Sequence, residues 1–528
     1  MRSQSAHAVV KIALSVFAVC AFGLSTAMPT ESGWSDLTDA HSYSFASNRL
    51  NFPTGVIRSP TARSALGQVF NNSPPYAISN IRFLYANFYV AIDGTPNPER
   101  KPGNENTIDF ATVLADGHAY PVTFDGAESV VLGDGDFRWS DPLRDSDGKP
   151  VTLAANSHYF IRTSRSAPAG GGLVVGSGDF GVQPRFSNQF VGDGVEYTSS
   201  PQMDKRLEGT VARYRQGSAP VGPSLAVATG WDGSPVYLIL GDSIAVGQAD
   251  YDFGSRGVVG YIPRGLDDES SKRRNFGTMM ISGTRPDDQG SEAPGQFQLR
   301  LSALRALPNR PFDVIISEMG QNSRYVGGHV LADFQRVERT WWEFWHEVCP
   351  SCHIFQTTFP THARATNNTG WTSSEDQQGD YPNGIRWQAG AWFRTGPLPN
   401  YVTTLDVTPA FCDPQHPGFW KTSQWRGALS GGVSRGSTQA LVTGASRPTN
   451  GDVLVIEPGT PRVEIKNIYN VEGGGPWKVS LTSGFSIDHP DGAPLGLAYT
   501  SDGTHPSASL HKAAARLIER YKRDGLLP

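Results

Sequence analysis

The chain has 528 residues, too many for one ordinary core, so two domains plus insertions is the natural expectation. A formal net charge of -5 with only 18% charged residues supplies no basic field, and no Lys/Arg cluster interleaves with aromatics, which excludes nucleic acid as a partner. Gly 58, Pro 38 and 10% aromatic residues point to short strands and long surface loops.

In chain order, Arg2 and Lys11 precede an apolar stretch from Ile12 to Leu24, followed by Ser25-Thr26-Ala27. That is the pattern of an export signal over 1–27, cleaved after Ala27, and it is short of the roughly 20 apolar residues a spanning helix needs. The mature chain is therefore expected to be secreted or periplasmic, with no membrane span. From Asn48 to Ser166 short apolar runs alternate with turn signals: Ile81-Arg82-Phe83-Leu84-Tyr85, Thr107-Ile108-Asp109-Phe110 and Tyr159-Phe160-Ile161-Arg162, with Asp116-Gly117 as a hairpin turn. This predicts an antiparallel β-sandwich over 28–166. Residues 167–230, rich in Gly, Ser and Pro, read as a connection.

After Trp231 apolar strands alternate with amphipathic helices, the mark of a parallel α/β sheet over 231–528. Val236 to Leu240, Thr278 to Ile281, Phe312 to Ile316 and His353 to Phe355 are the strand candidates. Val330, Phe334, Val337, Trp341, Phe344 and Val348 form a helical stripe that reads as core. A last helix follows Pro506, and a β-rich insertion covers about 430–499.

Two segments carry the chemistry. Val236 to Leu240 runs into Gly241-Asp242-Ser243, where a strand stops in a turn and a nucleophile can stand exposed. Asp502-Gly503-Thr504-His505 places a carboxylate three residues before an imidazole. A serine hydroxyl needs a base to take its proton, and the base needs a third group to orient it. At the carboxyl edge of a parallel sheet the two segments can meet.

These blocks resemble those of the SGNH, or GDSL-type, hydrolases. Gly241-Asp242-Ser243 matches the first block and Asp502 to His505 the last, while Ile281-Ser282-Gly283-Thr284 and Gly320-Gln321-Asn322-Ser323 stand in order between them. Two positions depart from the family pattern: Ile244 replaces a leucine and Ser323 an aspartate. The resemblance implies a flavodoxin-like three-layer α/β/α sheet with Ser243 as nucleophile, His505 as general base and Asp502 as its orienter. It further implies an oxyanion hole from the N–H groups of Ser243 and Gly283 and the Asn322 amide, with no cofactor and no metal. The activity it implies is that of a carboxylic-ester hydrolase acting on short acyl groups, acetate on a carbohydrate foremost, with an acylated small molecule or polysaccharide as partner. A lipase-like or acyl-transferring enzyme is the alternative within the family, and a non-catalytic carbohydrate-binding surface protein the alternative outside it.

Other signals compete. Gly432-Val433-Ser434-Arg435-Gly436 spells a nucleophile elbow but lacks the strand before and helix after, so it reads as a turn. Cys349-Pro350-Ser351-Cys352-His353 spells a haem-attachment motif, yet an oxidising compartment favours a disulfide, either local or with Cys412. His362 reads as a substrate contact, with a fallback role as base. Trp371, Trp387 and Trp392 suit stacking against sugar faces, or equally a small satellite core.

Overall fold

The computed structural model describes residues 42–61, 63–92, 98–176, 193–212, 220–287, 297–323, 330–379 and 383–528, and the export signal expected at 1–27 lies outside them. Among the described residues the N-terminal part holds two large antiparallel sheets beside two small two-stranded ones. One has Ile78–Ala86 between Leu225–Thr229 and the short Phe137–Trp139 and Thr152–Leu153, with Ser44–Phe45 outermost. The other sets Arg63–Asn72, His158–Ala167 and Asn106–Ala115 side by side, flanked by Gly194–Thr198 and His118–Val122. Asp116 and Gly117 take φ of 50° and 77°, the left-handed pair that a two-residue hairpin turn requires.

Strand periodicity explains how this region joins the rest. Along Ile78–Ala86, Ile81, Phe83 and Tyr85 pack with Val69, Ile108, Val113 and Ile161 of the facing sheet. Leu84 and Ala86 point the other way, into a core shared with the parallel sheet. Both faces of the strand are therefore buried. Leu225–Thr229 behaves alike, which corrects the reading of 167–230 as a plain connection: Gly172–Val175, Gly194–Thr198 and Leu225–Thr229 are sheet strands. Burial on two faces replaces the alternating pattern with a short apolar run, and Gly, Ser and Pro around it mask that run.

Five strands form the parallel sheet: β1 (Val236–Gly241), β2 (Asn275–Met280), β3 (Val314–Ser317), β4 (His353–Thr357) and β5 (Val402–Leu405), in the order β2-β1-β3-β4-β5. The helices that matter here are α1 (Tyr261–Leu266), α2 (Gln298–Arg305), α3 (Leu331–Val348), α4 (Ile385–Thr395) and α5 (Ala508–Arg523). Val236, Leu238 and Leu240 of β1 face Leu301 and Leu304 of α2 and Trp341 and Trp345 of α3. Tyr237 and Ile239 face Tyr261 and Ile262 of α1 and Leu510, Ala514 and Ile518 of α5. Each such side chain contributes about 1.5–3 kcal/mol on full burial, which pins the register of β1 and hence the place of the residues after it. Of the stripe expected on α3, Phe334, Val337, Trp341 and Val348 are buried and Phe344 is half-buried; Val330 precedes the helix and is 65% exposed.

Between β5 and α5 the chain closes a six-stranded barrel from Arg426–Leu429 to Pro494–Ala498. In its strand Val453–Ile456, Val453 and Val455 join the α1/α5 core while Leu454 and Ile456 fill the barrel. Ser434 lies on an exposed turn between barrel strands, with no helix after it. Cys349 and Cys352 form a disulfide with Cα atoms 5.3 Å apart, and Cys412 is a free, buried thiol that desolvation pushes up to about 12.

Candidate active site

In a doubly wound sheet of this strand order, the crevice opens at the carboxyl ends of β1 and β3, where the winding direction reverses. Both strands end in polar turns. After β1, Asp242 Oδ1 accepts the Ile244 N–H at 2.9 Å, and Val246, Gly247 and Gln248 donate back to Asp242, Ile244 and Ser243 carbonyls at 3.0, 3.0 and 2.8 Å. The segment is thus a wound turn, and it leaves Ser243 6% exposed with its hydroxyl aimed outward. Gly241 is obligatory here, because a Cβ would meet that of Ala245 at 2.4 Å.

His505 arrives from the opposite end of the chain. Its Nε2 stands 2.9 Å from Ser243 Oγ, and its Nδ1 2.6 Å from Asp502 Oδ2. Asp502 Oδ1 accepts the N–H groups of Thr504 and His505, both at 2.9 Å. Burial pushes the Asp502 carboxyl up, but the hydrogen bond and charge of His505 and these two N–H groups outweigh it and hold the group at about 2. It stays an anion, fixing the proton of His505 on Nδ1 and leaving Nε2 free to accept.

Three contacts hold this loop. The Gly503 carbonyl accepts the Ala363 N–H at 3.1 Å and the Trp420 indole N–H at 3.0 Å, and the Trp371 indole donates to the Ala363 carbonyl at 2.8 Å. Gly503 has φ of +79°, and a Cβ there would stand 2.1 Å from the Ala363 oxygen. The helix itself begins only at Ala508, so Asp502 and His505 lie on a pinned loop before it rather than on its first turn.

Gly283 and Asn322 come to the same edge. Gly283, with φ of +76°, sits in a turn closed by Thr284 N–H to Ile281 O at 3.2 Å, and Thr284 Oγ1 ties that turn to the Gly241 carbonyl at 3.0 Å. Asn322 donates from Nδ2 to Asp242 Oδ2 at 2.8 Å. Before it, Gly320 with φ of +126° lies against the Phe359 ring, which a Cβ would meet at 2.6 Å.

The proposed substrate contacts divide. His362 and Trp387 line a pocket with Phe359, Arg386, Arg394 and Cys412, and Arg394 stands 5.5 Å over the Trp387 ring. Phe359 abuts Gly320 and Ala363 is bonded to Gly503, so this wall runs between the Asn322 and His505 loops. Trp392 is 6% exposed and stacked on Trp342 at 5.5 Å in the core of α3 and α4, where it presents no face to a sugar. Trp371, 8% exposed, braces the His505 loop instead of lining the pocket.

Two carboxyls lie beneath Ser243: Asp242 of the first block, and Glu318, which the motifs do not include. Glu318 follows β3, and its Oε2 accepts the Asp242 N–H at 3.1 Å; both side chains are 0% exposed. Burial raises Asp242 to about 6 and pushes Glu318 well above the carboxylate range, the Asp242 charge adding to the latter. A carboxylate one residue beyond the apolar Val314-Ile315-Ile316, after Ser317, is the one sequence signal that marks Glu318.

No family model matches the sequence. No curated protein matches it either. Among solved structures, an active-site mutant of a family two carbohydrate esterase from Clostridium thermocellum is similar at 12% identity over 92% of this chain and 98% of its own, with a TM-score of 0.28. A family 2 carbohydrate esterase with a carbohydrate-binding domain from Corynascus thermopiles (Myceliophthora fergusii) matches at 15% identity over 69% and 89%, with a TM-score of 0.26. Est24, a carbohydrate acetylesterase from Sinorhizobium meliloti, matches at 12% identity over 56% and 100%, with a TM-score of 0.26. Likenesses of that size carry no argument about this chain's chemistry.

Proposed function

We propose that the chain is a secreted serine esterase of the SGNH type, hydrolysing short-chain carboxylic esters, acetyl esters of carbohydrates foremost, through an acyl-serine intermediate. The single observation that carries this reading is the Ser243–His505–Asp502 chain of contacts at 2.9 and 2.6 Å across 262 positions of sequence. The hydrolase domain is proposed as residues 231–528, a three-layer α/β/α unit interrupted by the barrel, with the β-rich residues before it, Gly194–Thr198 and Leu225–Thr229 included, as its accessory sandwich. No helix among the described residues is long and apolar enough to cross a membrane.

In the proposed mechanism His505 Nε2 takes the Ser243 proton as Oγ attacks the acyl carbon. The oxyanion of the tetrahedral intermediate receives the N–H groups of Ser243 and Gly283 and an N–H of Asn322, each such donor being worth about 10²–10³ in rate. Collapse breaks the C–O bond to the alcohol, which leaves with the proton from His505. Water then attacks the acyl-serine with His505 again as base, releasing the acid and restoring Ser243. Trp387 and His362, which line one pocket, are proposed as the contacts of the sugar ring carrying the ester, an apolar face with a polar rim.

The test is turnover of a chromogenic acetate ester by the purified full chain, with Ser243→Ala beside it. Turnover that Ser243→Ala abolishes is the expected result; no turnover, or an unaffected variant, overturns the reading. Across acyl esters of increasing length the rate should fall, and a rise toward long chains would replace the acetylesterase with a lipase.

A further inference from the structure

Asn322 can serve an oxyanion only if its amide is aimed, and the hydrogen bond that aims it comes from a buried carboxylate, Asp242, at 2.8 Å. Asp242 spends its other oxygen on the Ile244 N–H at 2.9 Å, so it acts as an anion with both ends committed. Glu318 lies against the same turn: Oε2 takes the Asp242 N–H at 3.1 Å, and Oε1 has no donor. Both groups are wholly buried, and two carboxyls in one dry site cannot both ionise. Both Asp242 oxygens accept an N–H and Glu318 accepts one on Oε2 alone, so the charge belongs to Asp242 and the retained proton to Glu318.

We propose, on the basis of the esterase reading, that Glu318 is a positioning residue: protonated, it leaves Asp242 as the sole anion of the pair, and Asp242 thereby holds the Asn322 amide toward the oxyanion. The proton is structural and does not enter the reaction, so no bond to substrate involves Glu318. The groups whose charges reach the pair are His505 from the C-terminal loop, Arg386 from α4 and the Tyr261 hydroxyl from α1. Gly241 is part of the device, since a Cβ there would stand 3.0 Å from Glu318 Oε2. If Glu318 lost its proton at alkaline pH, a second buried charge would repel Asp242 and the amide would lose its anchor.

The test is a double-mutant cycle on chromogenic acetate. Glu318→Ala should lower kcat about 10- to 100-fold with little change in KM, since it misaims one oxyanion donor. In an Asn322→Ala background the same change should cost less than about twofold, and Glu318→Gln, which can accept the Asp242 N–H and donate as a protonated acid does, should recover most of the loss. Equal losses in both backgrounds, or Gln as poor as Ala, overturn the proposal. Should the Ala variant fail to fold, the pH profile of Glu318→Gln decides. The decline of kcat at high pH should move up by at least about one unit relative to wild type, because Gln cannot ionise, and superimposed profiles overturn it. Absence of any turnover by the wild type would instead defeat the esterase reading, and the two failures are distinguishable.

Discussion

Gly503 is a position in the His505 loop where one methyl group would be costly. Its φ of +79° and the 2.1 Å approach of a Cβ to the Ala363 oxygen mean that Gly503→Ala must move the loop carrying His505. A displacement of about 1 Å costs on the order of 10²-fold, so kcat should fall by about that factor while the far-ultraviolet circular dichroism stays unchanged. Asp502→Asn should lower kcat by about 10³–10⁴, the cost of the wrong imidazole tautomer. The same variant has a pH signature. A carboxyl held at about 2 stabilises the fold above the ordinary carboxylate range, and that contribution is lost as pH falls from about 4 through 2. The difference in Tm between wild type and Asp502→Asn should therefore be full at pH 7 and shrink over that acid window. The segments carrying Ser243, Asp502 and His505 were legible in the sequence because Gly241 ends an apolar strand and Pro506 announces the last helix just beyond His505. The partition of the tryptophans was not. Trp387 and Trp392 lie on α4, five residues and hence about 140° apart, so one faces the pocket and the other the core. Without a recognised helix there, nothing separates them. The Asp242–Glu318 pairing spans 76 positions and depends on β1 and β3 being neighbours.

The disulfide between Cys349 and Cys352 closes the link from α3 to β4, at the amino end of the strand. The Ser243, Asp502 and His505 contacts lie at the carboxyl ends, so on the proposed esterase reading reduction with dithiothreitol should leave ester turnover unchanged. It should lower stability by roughly 2 kcal/mol, because the closed loop is short, which calorimetry of a Cys349→Ser/Cys352→Ser variant would measure. A fall in activity on reduction would restore a redox role. Elements whose residues are apolar throughout, β1 and β3 above all, were readable as buried strands. Val402–Leu405 was not, since Thr403 and Thr404 interrupt a strand of only 4 residues. Leu225–Thr229 escaped for the opposite reason, being apolar on both faces and too brief to show a period among its Gly and Pro neighbours.

The N-terminal sandwich and the parallel sheet each have a core of their own and share a third. Phe45, Leu84, Trp139 and Leu225 pack in one cluster with Leu238, Met279 and Ile315, and a Cβ on Gly277 would strike the Phe45 ring at 2.5 Å. Polar contacts follow the same seam: Thr278 Oγ1 to Leu50 O at 2.8 Å, Asn275 Nδ2 to Phe45 O at 2.8 Å, and the Trp139 indole to Ala303 O at 2.9 Å. A chain starting at residue 231 should therefore be insoluble or molten, and the full chain should melt in one calorimetric transition. Two separated transitions would show that the halves fold alone. That a β-rich half precedes an α/β half was legible from composition and periodicity; that they share apolar surface was not, because a strand buried on both faces carries no label for what covers it. The loop bearing His505 has a further consequence for how the molecule comes into being. On the ribosome the nucleophile emerges more than two hundred residues ahead of its base, and the barrel must be made in the interval. On the proposed esterase reading, hydrolytic competence is withheld until translation has passed His505, and nascent or prematurely terminated chains are born harmless to esters around them.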